Sequence, residues 1–152
     1  MNGWWKALTA AVCAWVCSFF GILTPWIAAV VAAMALDYIT GIAAAWNAGE
    51  LSSRIGIRGI LKKLGYLVII AVAMLADWTI ATGGGYLGFR IETPGYLALL
   101  VIVWLLMNEL ISILENAGRL GVPYPAWLMK VLSHLRENAE QKGDELHDES
   151  LS

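Results

Sequence analysis

The sequence predicts an all-α membrane protein: four transmembrane helices, both termini cytoplasmic, then a short cytoplasmic amphipathic segment and an acidic tail. Three observations predict it. Of 152 residues, 59% are hydrophobic and 14% charged, with a mean hydropathy of +0.67, whereas soluble domains are roughly 45–50% apolar and about 25% charged. Four apolar segments, 5–23, 26–46, 64–83 and 96–116, each approach the roughly 20 residues that cross a hydrocarbon core about 30 Å thick. Aromatic residues give a separate ruler, because Trp and Tyr favour the two membrane interfaces. Trp5 to Trp26, Trp26 to Trp46 and Tyr66 to Tyr86 are each about 20 positions apart, or about 30 Å at 1.5 Å per helical residue.

In the first segment Lys6 precedes an apolar run to Leu23, as in a secretory signal. Phe19 and Phe20 stand where a small-residue cleavage site belongs, so an uncleaved helix is predicted. Cys13 and Cys17 share one face of it and are read as packing residues, two thiols being too few for a metal site. Thr24 and Pro25 turn the chain into the second segment. "NAGELSSRIGIRGILKK" separates the second from the third, and "GGGYLGFRIETPG", read as a flexible extracytoplasmic link, the third from the fourth. Trp15, Trp78 and Trp104 fall outside the interfacial spacing and are expected within the bundle. Beyond "GRLGVPYP" the chain changes character, giving a transmembrane domain over 1–125 and a cytoplasmic segment over 126–152. "PAWLMKVLSHL" suits a short interfacial amphipathic helix. "ENAEQKGDELHDES" has too little apolar surface to order itself and is read as a solvated tail, a partner contact being the other reading. His134 and His147 are expected in solvent.

Basic residues set the orientation. Lys6, Arg54, Arg58, Lys62, Lys63, Arg119, Lys130, Arg136 and Lys142 fall on one side of a four-crossing chain, and Arg90 on the other. The positive-inside rule then places both termini and the 47–63 loop in the cytoplasm. Arg54, Arg58, Lys62 and Lys63 act as topology determinants, and attraction to anionic lipid headgroups is worth about 1 kcal/mol for each. They offer no groove reader or aromatic platform for nucleic acid.

Polar residues inside the apolar segments carry the functional signal. Asp37, Asp77 and Asn108 lie about 11 to 12 residues beyond Trp26, Tyr66 and Tyr96, a common depth of about 16–18 Å. An ionised carboxylate facing lipid there costs at least about 2.5–3.5 kcal/mol, so these groups should face protein or water. Ala29, Ala33, Gly41 and Ala45 recur with Asp37 at intervals of four, a stripe that lets another helix approach closely. On the fourth helix Asn108, Ser112, Glu115, Asn116 and Arg119 form a polar stripe with Glu109 at its edge, and Glu115 and Arg119 are spaced to pair. Either these groups form a satisfied internal network, or the fourth helix, with Asp37 and Asp77, lines an aqueous path in a homo-oligomer. No catalytic constellation, phosphate loop, cofactor motif or metal-ligand spacing is present in the sequence, and no enzyme is expected.

"LDYITGIAAAW", "GELSSRIGIRGILKKLGYLVIIAVAMLAD", "NELISILENAGRLGVPYP" and "WLMKVL", in that order, resemble the phage lysis and toxin-secretion holin family that includes clostridial toxin-secretion holins. The likeness spans about 35–132. It implies a protein that assembles in the bacterial inner membrane, collapses the membrane potential, and releases or activates an endolysin or secretes a protein cargo. Implied partners are further copies of the chain and membrane lipids; the endolysin is a functional partner, with no direct contact implied. Matching positions are Asp37, Thr40, Gly41, Ser52, Ser53, Gly56, Gly59, Lys62, Lys63, Asp77, Asn108, Glu109, Ser112, Glu115, Asn116 and Pro123. None is catalytic in that family. The alternatives are a small proton-coupled channel or carrier using Asp37, Asp77 and Glu109, and a non-conducting adaptor acting through its tail.

Overall fold

The computed structural model describes residues 3–88 and 95–151. They form α1 (Trp4–Phe20), a 3-10 turn (Gly21–Leu23), α2 (Thr24–Asn47), α3 (Ser53–Leu87), α4 (Tyr96–Arg119) and α5 (Ala126–Leu151). Three of these contain segments long and apolar enough to cross a membrane: Pro25–Asn47, Gly56–Leu87 and Tyr96–Arg119. At 17 residues α1 is not among them, so three of the four expected spans have a counterpart of that kind.

The bundle is built on α2 against α4. The two run parallel, since Leu23 packs over Gly95 where both begin and Gly41 meets Asn116 toward their far ends. α3 returns antiparallel between them, passing Tyr38 at Gly56 and Gly59. Val30, Met34, Ile70, Ala98, Ile102 and Leu105 form the core. Outside it Leu64, Val68, Val72 and Leu75 are exposed along α3, an apolar surface suited to acyl chains rather than water. The small-residue stripe of α2 performs as expected at Ala33 and Ala45, which are buried, and Gly41. Ala29 is exposed. α1 contacts the 3-10 turn that follows it.

Glycines in the left-handed region stop both parallel helices. Gly49 (φ +70°) follows α2, with Glu50 N–H bonding to the Ala45 carbonyl and Gly49 N–H to that of Trp46. Gly121 (φ +82°) follows α4, with the equivalent bonds to Ala117 and Gly118. Both are Schellman closures, which satisfy carbonyls a helix end would orphan.

Four expectations change. The loop expected over 47–63 narrows to the turn between Asn47 and Ser53, because α3 begins at Ser53, well before the apolar run. Gly83–Gly85, expected in a link, lie inside α3. The tail is a helix as well. α5 carries the amphipathic segment through "ENAEQKGDEL" and packs along α4, gaining there the apolar contact it lacks alone. Trp78, expected within the bundle, is 65% exposed. Arg90, and the side chains of Cys13, Trp15, Cys17, Arg54 and His147, lie outside the described residues.

A Cβ at Gly41 would meet Asn116 Nδ2 at 3.5 Å, an ordinary contact. Gly41→Ala is therefore expected to keep the fold and gain up to about 1 kcal/mol of helix propensity. Gly41→Leu forces α2 from α4 and costs roughly 1–3 kcal/mol by overpacking. Thermal unfolding in detergent, followed by circular dichroism, should separate the two variants in that order.

Candidate functional site

The α2–α4 seam carries Asp37 inward on α2 and Glu109 and Asn116 inward on α4. Lys63 of α3 joins them. Its ammonium donates to Asp37 Oδ2 at 2.9 Å and to Glu109 Oε2. Asn116 Nδ2 donates to the other Asp37 oxygen, Oδ1, at 3.0 Å, and lies 3.4 Å from Thr40 Oγ1. Thr40 turns its hydroxyl back to the Leu36 carbonyl at 2.9 Å. One charged side chain from each of three helices therefore meets in one cluster. Glu109 is 4% exposed, and the side chains of Lys63 and Asp37 are 16% and 17% exposed. Asp37 and Glu109 each stand about 15 Å from the far end of their helix, the mid-bilayer depth at which an unpaired charge is most costly.

Lys63 is assigned by the sequence to the headgroup region and is the clearest departure. Because α3 starts early, its register carries Lys63 to the level of Asp37, and its ammonium turns inward. Lys62, one residue back and about 100° around the helix, stays exposed over the Tyr66 ring at 5.5 Å. Arg58 is exposed.

Asp77 does not share the depth of Asp37. Its Oδ1 accepts from Leu97 N–H at 3.2 Å and its Oδ2 from Ala98 N–H at 2.8 Å. No side chain of α4's own caps it: the preceding residue is Gly95, at φ +90°. Asp77 therefore caps α4 from the neighbouring helix, at the end of the bundle where Leu23 meets Gly95. The helix-start charge and two amide donors suit a carboxylate there.

The expected Glu115–Arg119 pair is also replaced. Arg119 Nη2 bonds Glu50 Oε2 in the α2–α3 turn at 3.1 Å, with both side chains more than half exposed, so the bridge is worth about 0–1 kcal/mol. Glu115 is exposed toward α5.

Two cavities with charged residues at their walls flank the charge cluster. One, of about 320 Å³, lies between α2, α3 and α4 and is lined by Gly41, Glu50, Ser52, Gly56, Ser112 and Arg119, with Asp37 and Lys63 at its wall. The other, of about 370 Å³, lies between α3, α4 and α5 and takes in Lys62, Tyr66, Asn108, Glu109, Glu115 and Arg136. Asn108, placed at mid-depth from sequence, thus lines a cavity, while its neighbour Glu109 makes the ion pair. Arg136 and the bond from Trp104 Nε1 to Glu140 Oε1 (2.7 Å) were not anticipated. Lys63 had a signal: two buried acids need a cation, and Lys63 directly precedes the third apolar segment. Among the described residues no group of His, Cys, Asp and Glu is arranged to hold a metal ion. The arrangement can hold opposite charges together inside a bilayer and can be opened by separating helices.

A sequence model of the bacteriophage holin family matches residues 14–137. An uncharacterized protein of Halalkalibacterium halodurans is 37% identical over 138 residues, covering 90% of this chain and 93% of that protein. An uncharacterized protein of Clostridium perfringens is 41% identical over 100 residues, covering 66% and 67%. A protein of Bacillus phage phi105 named probable holin is 31% identical over 107 residues, covering 70% and 71%. No solved structure matches the chain.

Lys63→Met strands two carboxylates and is expected to cost about 3–5 kcal/mol, read as a lower melting temperature in detergent. Adding Asp37→Asn and Glu109→Gln should recover most of that loss; equal melting of the parent and the Met variant would refute the ion cluster. Asp77→Ala should cost about 1 kcal/mol and Asp77→Asn less. Amide exchange at Leu97 and Ala98 should rise in the Ala variant.

Proposed function

The chain belongs to the bacteriophage holin family, and from that premise we propose that it homo-oligomerises in the bacterial inner membrane into lesions. These collapse the membrane potential and release or activate an endolysin, or pass a protein cargo, during host lysis. No enzymatic step is involved. The observation that carries the reading is the Lys63 cluster: each chain buries two acids and a base between three helices, a charged interior that water can replace once several chains surround it. Asp37, Thr40, Gly41, Glu109, Ser112 and Asn116 form the contact between helices before triggering; Asn108, Ser112, Glu115 and Arg119 face the lumen after it. The lesion involves further copies of the chain and membrane lipids, and acts on the endolysin without touching it.

In this reading α1 and the 3-10 turn make a fourth crossing, about 30 Å over 20 residues, so that Lys6 shares the cytoplasmic side with Arg54, Arg58, Arg119 and the start of α5. Residues 1–125 then form the membrane domain, and 126–152 are an appendage that joins it from the cytoplasmic side. Because a charge crossing the membrane field couples to it at about 2.3 kcal/mol per 100 mV, the ion cluster supplies a means of responding to depolarisation.

The cavities on either side of Lys63 favour one other reading, a proton-coupled channel or carrier. Passage of folded protein distinguishes the two.

Induction in bacteria, followed with a potential-sensitive dye, viable counts and release of a cytoplasmic enzyme, is expected to show abrupt depolarisation, death and protein release. Asp37→Leu and Glu109→Leu should shift the onset by severalfold. A viable, polarised culture at high expression would rule the proposal out, and ion flux without protein passage would favour the carrier.

A further inference from the structure

α5 covers the face of α4 that the lesion needs. The two helices run antiparallel: Trp104 donates to Glu140, and a Cβ on Gly143 would meet Leu100 Cδ2 at 3.8 Å. Met129, Leu132, Arg136, Ala139, Gly143 and Leu146 turn inward, alternating by three and four, the spacing of a helix seam. Ala139 and Gly143 are small enough for close approach. Arg136 reaches the cavity that holds Glu109 and Glu115, with its Nε buried and unpaired among the described residues.

The outer face of α5 says where this arrangement can exist. Glu137, Lys142, Asp144 and Glu145 are exposed, and docking carries them alongside Leu100 and Trp104, deep in the span of α4. Acyl chains cannot take such a surface. Water can: three of these four charges are acidic and Lys142 already bonds Glu145, so a hydrated interior suits this face.

We infer that docked α5 is a plug: it lies in the interior of the homo-oligomer with Arg136 over the acids of α4, and the lesion opens when α5 withdraws to the cytoplasmic surface. This rests on the lesion-forming reading above and adds its gate. "GRLGVPYP" supplies the hinge, with Tyr124 folded against Gly118, where a Cβ would meet its Cε1 at 3.1 Å.

The test uses the full chain with Cys13→Ser and Cys17→Ser, reconstituted in dye-loaded liposomes of bacterial lipid. Trp104→Cys with Glu140→Cys, and separately Leu100→Cys with Gly143→Cys, are bridged by a short bis-methanethiosulfonate linker that reductant cleaves. Both pairs should cross-link within one chain, slow dye release at least tenfold, and recover on reduction, while single-cysteine controls stay fast. Arg136→Glu, which sets like charge against Glu109 and Glu115, should shorten the lag at least twofold. Absence of cross-linking in a parent that leaks, or a linked chain that leaks at the unlinked rate, overturns the plug alone. A cysteine-free parent that releases no dye overturns the lesion and the plug with it.

Discussion

Burial of charge between helices that have lipid around them governs this fold. Asp37 and Glu109 cannot sit at mid-depth against acyl chains, and Lys63 answers both at once. That need sets the register of α3. It brings Gly56 and Gly59 past Tyr38 and leaves Asn116 to satisfy the remaining oxygen of Asp37. The bundle is held by one acid too many for its base. Such a cluster favours uniqueness of packing more than stability, since an apolar replacement of the same shape is often as stable.

Around it the energetics are modest. Helices gain little hydrophobic free energy from each other in lipid, so packing and polar contacts decide association. The α2–α4 seam shows both: small Ala33, Gly41 and Ala45 allow approach, and Asp37, Thr40 and Asn116 fix it. A bundle so joined can exchange its internal contacts for equivalent ones between copies at small cost, as the proposed assembly requires.

The helical class, the three apolar segments and the α2 seam were legible because they follow from composition and from periods of three and four. Asp37 and Asn116 were legible for the same reason. Lys63 was misplaced because the apolar run was taken to begin with the helix, although α3 starts at Ser53. Asp77 was misplaced through the same error of register, since its partner is the backbone of α4, which leaves no mark in side-chain pattern. The course of α5 was hidden because its composition reads as solvated, and only the matching face of α4 gives its half-apolar seam a place.

The cap supplied by Asp77 has a mechanical corollary. α3 and α4 are pinned to each other at two heights, by Asp77 on the α4 amides and by Lys63 on Glu109. A slide of one turn would break both pins together, so this pair shifts as a rigid body. Among the described residues, the polar side-chain bonds from α2 to the other helices gather around Asp37 and Thr40, while its other end rests on apolar contact of Leu23, Val30 and Met34. Its start is thus held to α4 by packing that has no fixed hydrogen-bond geometry and tolerates small rotations that the Asp37 end does not.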